Sequence, residues 1–181
     1  PMTASADEIV SFWRQAGPDR WFTKDFAFDT EIREQFFDTY EAAAAGKFSD
    51  WEKSAQGALA LLILLDQFPR NMFRGDKLAF ATDPLARAIA AGAIVRGFDS
   101  QVSPDLRSFF YLPFEHSEDL ADQERGIAFY KAAGDTENLK WAEIHADIIR
   151  RFGRFPHRNA LLGRTTTPEE QAFLDGGGFA G

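Results

Sequence analysis

Residues 58–65 read Ala-Leu-Ala-Leu-Leu-Ile-Leu-Leu, a run with no polar face anywhere around a helix. Such a segment is stable in water only when other elements cover it on every side. It falls far short of the roughly 20 residues needed to span a bilayer, so the expectation is a central helix wrapped by amphipathic partners. The rest of the chain agrees with that reading, because no stretch alternates with period two over a strand's length. The sequence predicts an all-α fold of about seven to eight helices in antiparallel pairs, a superhelical or bundle-like array. Their expected ranges are 6–16, 30–45, 50–67, 76–95 with a break offered by Pro84, 104–111, 118–133, 136–152 and 168–174.

The helix punctuation is legible. Ser5-Ala6-Asp7-Glu8, Ser49-Asp50-Trp51-Glu52 and Thr167-Pro168-Glu169-Glu170 each have the form of a capping box, in which hydroxyl and carboxylate satisfy orphan amides. Asp83-Pro84 and Ser103-Pro104 place a capping side chain before proline at the first helical position, and Asp29 and Ser117 precede further periodic runs. Gly46, Gly97, Gly134 and Gly153 stand where runs stop, as left-handed residues do after a last turn.

With 181 residues the chain suits one domain over 1–181. Its 19 Phe and 4 Trp imply an aromatic-heavy interior. The absence of Cys removes disulfides, thiol nucleophiles and cysteine metal sites, and fits a reducing compartment, the cytoplasm. A net charge of -8 repels phosphate backbones and anionic membranes, so neither nucleic acid nor a membrane is an expected partner. Asp7 and Glu8 arrive before any apolar run, unlike a signal peptide, and Pro1 before Met2 has the look of an expression remnant. The tail 175–181, with Gly176, Gly177 and Gly178, is flexible by composition, with Phe179 able to dock it. The rings of Trp21, Phe22, Phe26 and Phe28 are costly to leave in water, so their loop either packs on the core or covers a pocket.

Two turns echo each other. Phe68-Pro69-Arg70-Asn71 follows the central helix, and Phe155-Pro156-His157-Arg158-Asn159 follows the helix over 136–152. In each, proline should end the helix while arginine and asparagine reach its terminal carbonyls, a capped exit built the same way twice. Two features reach beyond a helix exit. Asp66 lies in the last turn of an apolar helix, where the macrodipole disfavours a negative charge; Arg70 and Arg74 are its candidate partners. From 148 to 167 there is no acid, but there are Arg150, Arg151, Arg154, Arg158 and Arg164, with His157 among them. That basic island is either a solvated face or a site for phosphate or carboxylate.

A second cluster, Glu115-His116, lies just before the turn expected to be capped by Ser117, where an imidazole could act as a base. His145 shares an apolar helix face with Trp141, Ile144, Ile148, Ile149 and Phe152, and is expected to be a core histidine with one hydrogen bond. Three His without metal-ligand spacing argue against a metal site, and no phosphate loop, dinucleotide fingerprint or serine elbow is present, so no cofactor is expected.

The elements Phe12-Trp13, Trp21-Phe22, Phe28-Asp29, Asp66-Gln67-Phe68-Pro69-Arg70-Asn71, residues 111–118 (Tyr-Leu-Pro-Phe-Glu-His-Ser-Glu), Gly153-Arg154-Phe155-Pro156-His157-Arg158-Asn159 and Leu162-Gly163-Arg164 cover nearly the whole chain. Together they resemble the bacterial family catalogued as domain of unknown function 924. That resemblance implies a tetratricopeptide-like helical fold and a cytoplasmic bacterial protein, and it carries no established reaction or ligand.

The functional expectation is therefore a pocket at helix ends that binds a small anionic metabolite. Asp66, Glu115, His116 and His157 are its candidate acid-base residues, and Arg70, Asn71, Arg154, Arg158 and Asn159 its ligand-binding set. Hydrolysis or proton transfer would be the chemistry. The alternative is a tetratricopeptide-like module that binds a peptide or protein without catalysis.

Overall fold

The computed structural model describes residues 2–181; Pro1, the suspected remnant, lies outside them. All regular structure among the described residues is helical, with no strand. By their contacts the residues divide into two compact units, Pro1–Pro113 and Phe114–Gly181.

In the first unit α1 (Ala6–Ala16) starts where Ser5 accepts from the Glu8 amide, and buries Ile9, Val10 and Trp13. The short α2 (Pro18–Trp21) leads to α3 (Phe26–Ala44), which begins earlier than expected because Asp25, not Asp29, caps it through the amides of Ala27 and Phe28. Asp29 is left free to bond elsewhere. Of the loop aromatics, Trp21 and Phe28 are buried, whereas Phe22 and Phe26 are 58% and 87% exposed. The Trp21 indole N–H donates to the Trp13 carbonyl at 2.7 Å, and its ring stacks on Trp13 with centroids 5.9 Å apart.

The central helix is shorter at its start and longer at its end than the sequence suggests. Ser49–Lys53 forms a 3-10 turn, and α4 (Ala55–Leu62) begins after Ser54, whose hydroxyl accepts from the Gly57 amide. Only glycine fits at 57, since a Cβ there would lie 2.2 Å from the Trp51 carbonyl oxygen. Residues 58–65 are each at most 2% exposed, covered by α1 on one side and α6 (Asp83–Val95) on another. The apolar run is the core of this unit.

Pro69 does not end that helix. Helical backbone continues through a π-turn (Ile63–Gln67) into α5 (Phe68–Met72). A proline within a helix removes one donor and its ring crowds the carbonyl four residues back. Here the turn widens so that the Phe68 amide bonds the Ile63 carbonyl. The Leu65 carbonyl then accepts from the Thr82 hydroxyl at 2.6 Å, and the Asp66 carbonyl accepts from the Arg70 guanidinium at 2.8 Å. Leu65, Asp66 and Thr82 are buried, so the bonds to those two carbonyls replace ones that water is poorly placed to supply.

After α5, a 3-10 turn (Lys77–Phe80) and α6 are separated ahead of Pro84, as the proline suggested. The stretch Lys77–Val95 is apolar and long enough to cross a membrane by composition alone. Its break and the ion pair at Asp83 mark it as a packed element of this unit. Residues 107–110 form a 3-10 turn where an α-helix over 104–111 was expected.

The chain passes through the short α7 (Leu112–Glu115) into the second unit. There α8 (Leu120–Ala133) and α9 (Thr136–Phe152) form a hairpin turned by Gly134 in the left-handed region. Gly153, also left-handed, ends α9. A 3-10 turn (Pro156–Arg158) follows, then α10 (Pro168–Asp175), where Thr167 and Glu170 complete both bonds of the capping box. Ile148, Ile149 and Phe155 form this unit's core, with Leu120, Phe152, Phe173 and Phe179 packed against it.

Because Thr82 supplies the donor that Pro69 lacks, Thr82→Val should cost about 1–3 kcal/mol, the usual penalty for an orphaned buried carbonyl. Urea unfolding of the two chains measures it, and an unchanged midpoint would show that the Leu65 carbonyl finds another partner.

Candidate functional site

The nine residues picked out in the sequence fall in both units. Asp66, Arg70 and Asn71 lie in the first. Asp66 is 1% exposed on the π-turn and lies 3.7 Å from Arg70. Arg70 is nonetheless committed chiefly to Asp83, which it grips with both terminal nitrogens at 2.8 and 2.9 Å. Burial works against its charge, but Asp83 and Asp66 together hold the guanidinium protonated. Asn71 donates to Asp29 at 2.9 Å, and Arg74 bonds the same carboxylate at 2.7 and 3.0 Å. Arg74 thus pairs with Asp29 where the sequence offered it to Asp66. The result is a closed lattice of ion pairs that braces the proline-containing helix.

In the second unit three arginines of the basic island, Arg150, Arg154 and Arg164, pair with acids outside it, while Arg151 lies over the rings of Phe152 and Phe173. Arg150 pairs with Asp147 at 2.6 Å. Arg154 grips Glu170 with two bonds of 2.8 Å and also donates to the Thr165 carbonyl. Arg164 grips Glu118 at 2.8 and 3.0 Å, and the Phe155 amide donates to Glu118 at 2.6 Å. Asn159 is fully buried, accepting from Arg164 and donating toward Thr166 and Glu170. Arg154 and Asn159 therefore anchor the start of α10. The bonds from Arg154 are the largest influence on Glu170, and its carboxyl is pulled down to about 2. Burial pushes Glu118 up, but the bonds from Arg164 and the Phe155 amide outweigh it and the net shift is downward.

The two Phe-Pro turns are not built alike. Pro69 sits inside a helix that continues, and Arg70 reaches back to a carbonyl of that helix. Pro156 opens a new 3-10 turn after Gly153 has already ended α9. There Arg158 donates forty-two residues back, to the His116 carbonyl at 2.9 Å. The signal lay in Gly153, which stops the second helix before its proline and is absent before the first.

That bond ties together the part of the chain with chemistry left over. Its three histidines, at 116, 145 and 157, come from three separate segments and gather beside Glu115 and Arg158. Glu115 and His145 are buried, while His116 and His157 are half-buried. The His145 Nδ1 lies 2.7 Å from the Trp141 carbonyl, which makes that nitrogen the donor. Its Nε2 then faces the Glu115 Oε2 at 3.6 Å. At that separation the two groups are neighbours in the same buried space and not hydrogen-bonded to each other. Burial lowers the His145 imidazole to about 3, and His116, Arg158 and His157 push it the same way by charge. His145 is a core histidine as expected, but with Glu115 as a second partner.

The loop that carries Glu115 and His116 is fixed by a residue the sequence did not single out. Gln123, 1% exposed on α8, donates to the carbonyls of Glu115 and Ser117 at 2.6 and 2.7 Å. Ser117 does not cap α8; Asp119 does, accepting from the Ala121 amide, while Ser117 accepts from the Asp119 amide and donates to Asp122. Among the described residues no cluster of His, Asp and Glu has the geometry of a metal site.

The pKa directions set an acid limit. His145 is held neutral by the fold and protonates freely once unfolded, so its contribution is intact above its ordinary value near 6.5 and is lost as pH falls towards 3. The slope cannot exceed about 1.4 kcal/mol per pH unit for one proton. Glu170 adds its own loss only between about 4.5 and 2. Thermal melts between pH 7 and 5 should therefore fall for the natural chain and stay flatter for His145→Gln; equal slopes would show that His145 is already hydrated.

A family model described as a bacterial protein of unknown function (DUF924) matches residues 9–178. Among solved structures, the chain is 53% identical to a protein of unknown function, ATU0120, from Agrobacterium tumefaciens. The match has a TM-score of 0.91 over 94% of this chain and 97% of that one. No curated protein matches it. The helical fold is thus shared with that Agrobacterium protein, and the chain belongs to the bacterial family DUF924.

Proposed function

We propose that the second unit carries an acid-base site for a small anion, a carboxylate or phosphate, at the cluster of His116, His145, His157, Glu115 and Arg158. The observation that carries this reading is the gathering of all three histidines of the chain at one buried carboxylate. Four other arginines, Arg70, Arg74, Arg154 and Arg164, each hold a carboxylate in two bonds. An anion arriving there would have to displace a bidentate partner. At the histidines the charge is conditional, since an anion bound beside His116 and His157 favours their protonated forms and recruits the charge that holds it.

In this reading His116 and His157, half-buried, exchange protons with the ligand. Glu115 and His145 lie buried and orient the site, and Arg158 holds the His116 backbone in place and adds a fixed positive charge. Proton transfer or hydrolysis is the reaction class that such groups serve.

The three histidine ring signals in a proton NMR pH titration test this. Phosphate or acetate should raise the apparent pKa of His116 and His157, and Arg158→Gln should weaken that response. Arg70→Ala, which breaks a pair in the other unit, should lower stability and leave the response intact. Histidine titrations indifferent to both anions would overturn the site.

A second reading, a peptide- or protein-binding module with the tetratricopeptide-like character that the resemblance implies, is favoured by the exposure of Phe22 and Phe26. It expects Phe26→Ser to weaken capture of a partner and leave the histidine titrations unchanged.

A further inference from the structure

The segment after α10 has the composition of a loose linker and the geometry of a built turn. The Gly177 amide returns to the Leu174 carbonyl and the Gly178 amide to the Phe173 carbonyl, at 3.2 and 2.9 Å. Gly177 has a φ of +83°, which L side chains rarely adopt. Gly178 lies flat against Phe173, where a Cβ would come within 2.5 Å of the ring. Both glycines are needed for the chain to reverse on itself.

The reversal delivers one ring to one place. Phe179 lies 4.4 Å from the His145 ring centroid, tilted by 52°, and 5.4 Å from that of His157, at 89°. It packs on the core formed by Ile148, Ile149 and Phe155. Beyond it the Gly181 backbone comes against the edge of the His157 ring, where a Cβ would be 3.1 Å away. The tail therefore covers two of the three histidines with an aromatic side chain held by a strand of glycines, whose own side chains contribute no burial.

We infer that Phe179 occupies a subsite for a planar aromatic group, formed by His145, His157 and Phe155, and that the tail is a tethered occupant which an aromatic carboxylate displaces. The inference rests on the reading of the histidine cluster as an anion site and adds the class of ligand. Two imidazoles and a phenyl ring, meeting the guest edge-on and tilted, are the surroundings that an aromatic ring prefers. The acid group of such a ligand would then sit towards His116, the histidine that the ring leaves uncovered. Tethering makes displacement possible, because the ring competes at a finite effective concentration, about millimolar for a short flexible linker and higher for a built turn such as this one.

The test uses the chain over residues 1–181 with benzoate, acetate and benzyl alcohol as probes, read by the same histidine ring signals. Two variants release the tail by different routes. Phe179→Ala removes the ring, and Gly177→Ala keeps every existing side chain but opposes the turn. In both, the His145 and His157 signals should move as the ring current of Phe179 is lost. Benzoate should then bind more tightly than to the natural chain, by about tenfold where the tethered ring's effective concentration is about ten times its own dissociation constant from the subsite. Acetate, with no ring, should bind each chain equally, and benzyl alcohol should follow benzoate more weakly. Circular dichroism checks that both variants remain folded.

Benzoate affinity unchanged in Phe179→Ala overturns the subsite. So do His145 and His157 signals that ignore the loss of the ring, since the tail would then not be docked. Acetate binding without any gain for benzoate leaves the anion site standing and removes this inference. A gain for benzoate and benzyl alcohol alike with no acetate response removes the anion site, and with it the carboxylate of this inference.

Discussion

A proline inside a buried helix leaves carbonyl oxygens that no water reaches, and the first unit is arranged around supplying them. The widened turn at 63–67 moves the backbone away from the Pro69 ring. Thr82 and Arg70 then bond the carbonyls of Leu65 and Asp66. Arg70 can do so only while charged and fixed, which is the role of Asp83. A single residue without an N–H is thereby matched by a guanidinium of its own helix and by a hydroxyl and a carboxylate at the start of α6. Removing any one leaves a buried polar group unmatched, so these positions are coupled and their energies do not add.

The second unit solves a different problem with the same chemistry. A basic stretch without internal acids must borrow its counter-charges, and Glu118 and Glu170 supply them from segments far along the chain. Those two bidentate pairs clamp the start of α10 and the turn at 155–159 to the loop before α8. The loop is thereby fixed at both sides, by Glu118 toward the turn and by Gln123 toward α8. Glu115 and His116 lie between these anchors, so the candidate proton-transfer groups ride on backbone that is bonded on either side. Such support from neighbouring polar groups is what a site needs to hold its geometry.

What could be read from the sequence follows the range of the interaction involved. Caps that act within four residues, such as Ser5 on Glu8 and Thr167 on Glu170, were legible because hydroxyl and amide are fixed by local spacing. The central position of 58–65 was legible because its hydrophobicity permits no other location. The choice between Asp25 and Asp29 as the cap of α3 was not, since it turns on Asn71 and Arg74, more than forty residues on, engaging Asp29. Continuation of the helix past Pro69 was hidden for the same reason: propensity speaks against it, and Thr82 overrides it from another element. The basic island misled by its lack of acids, because opposite charges pair through space and not along the chain. At the site, Glu115, His116, His157 and Arg158 were visible as residue types, but the partnership of His145 with Glu115 required the fold.

The two Phe-Pro turns differ in one inserted residue, and the insertion separates their consequences. Phe68-Pro69-Arg70-Asn71 lies in continuous helix, so its arginine and asparagine project to neighbouring carboxylates and become bracing. Phe155-Pro156-His157-Arg158-Asn159 follows a finished helix, with backbone free to turn, and there Asn159 is buried among Arg164 and Glu170 while Arg158 turns to the His116 carbonyl. The extra residue, His157, is left half-buried beneath Phe179. A turn that otherwise only secures backbone thus presents an imidazole whose charge can respond to what lies against it. Structural arginines hold their charge at any physiological pH and fix geometry, whereas the charge of an imidazole is conditional, and the proposed acid-base site rests on that difference.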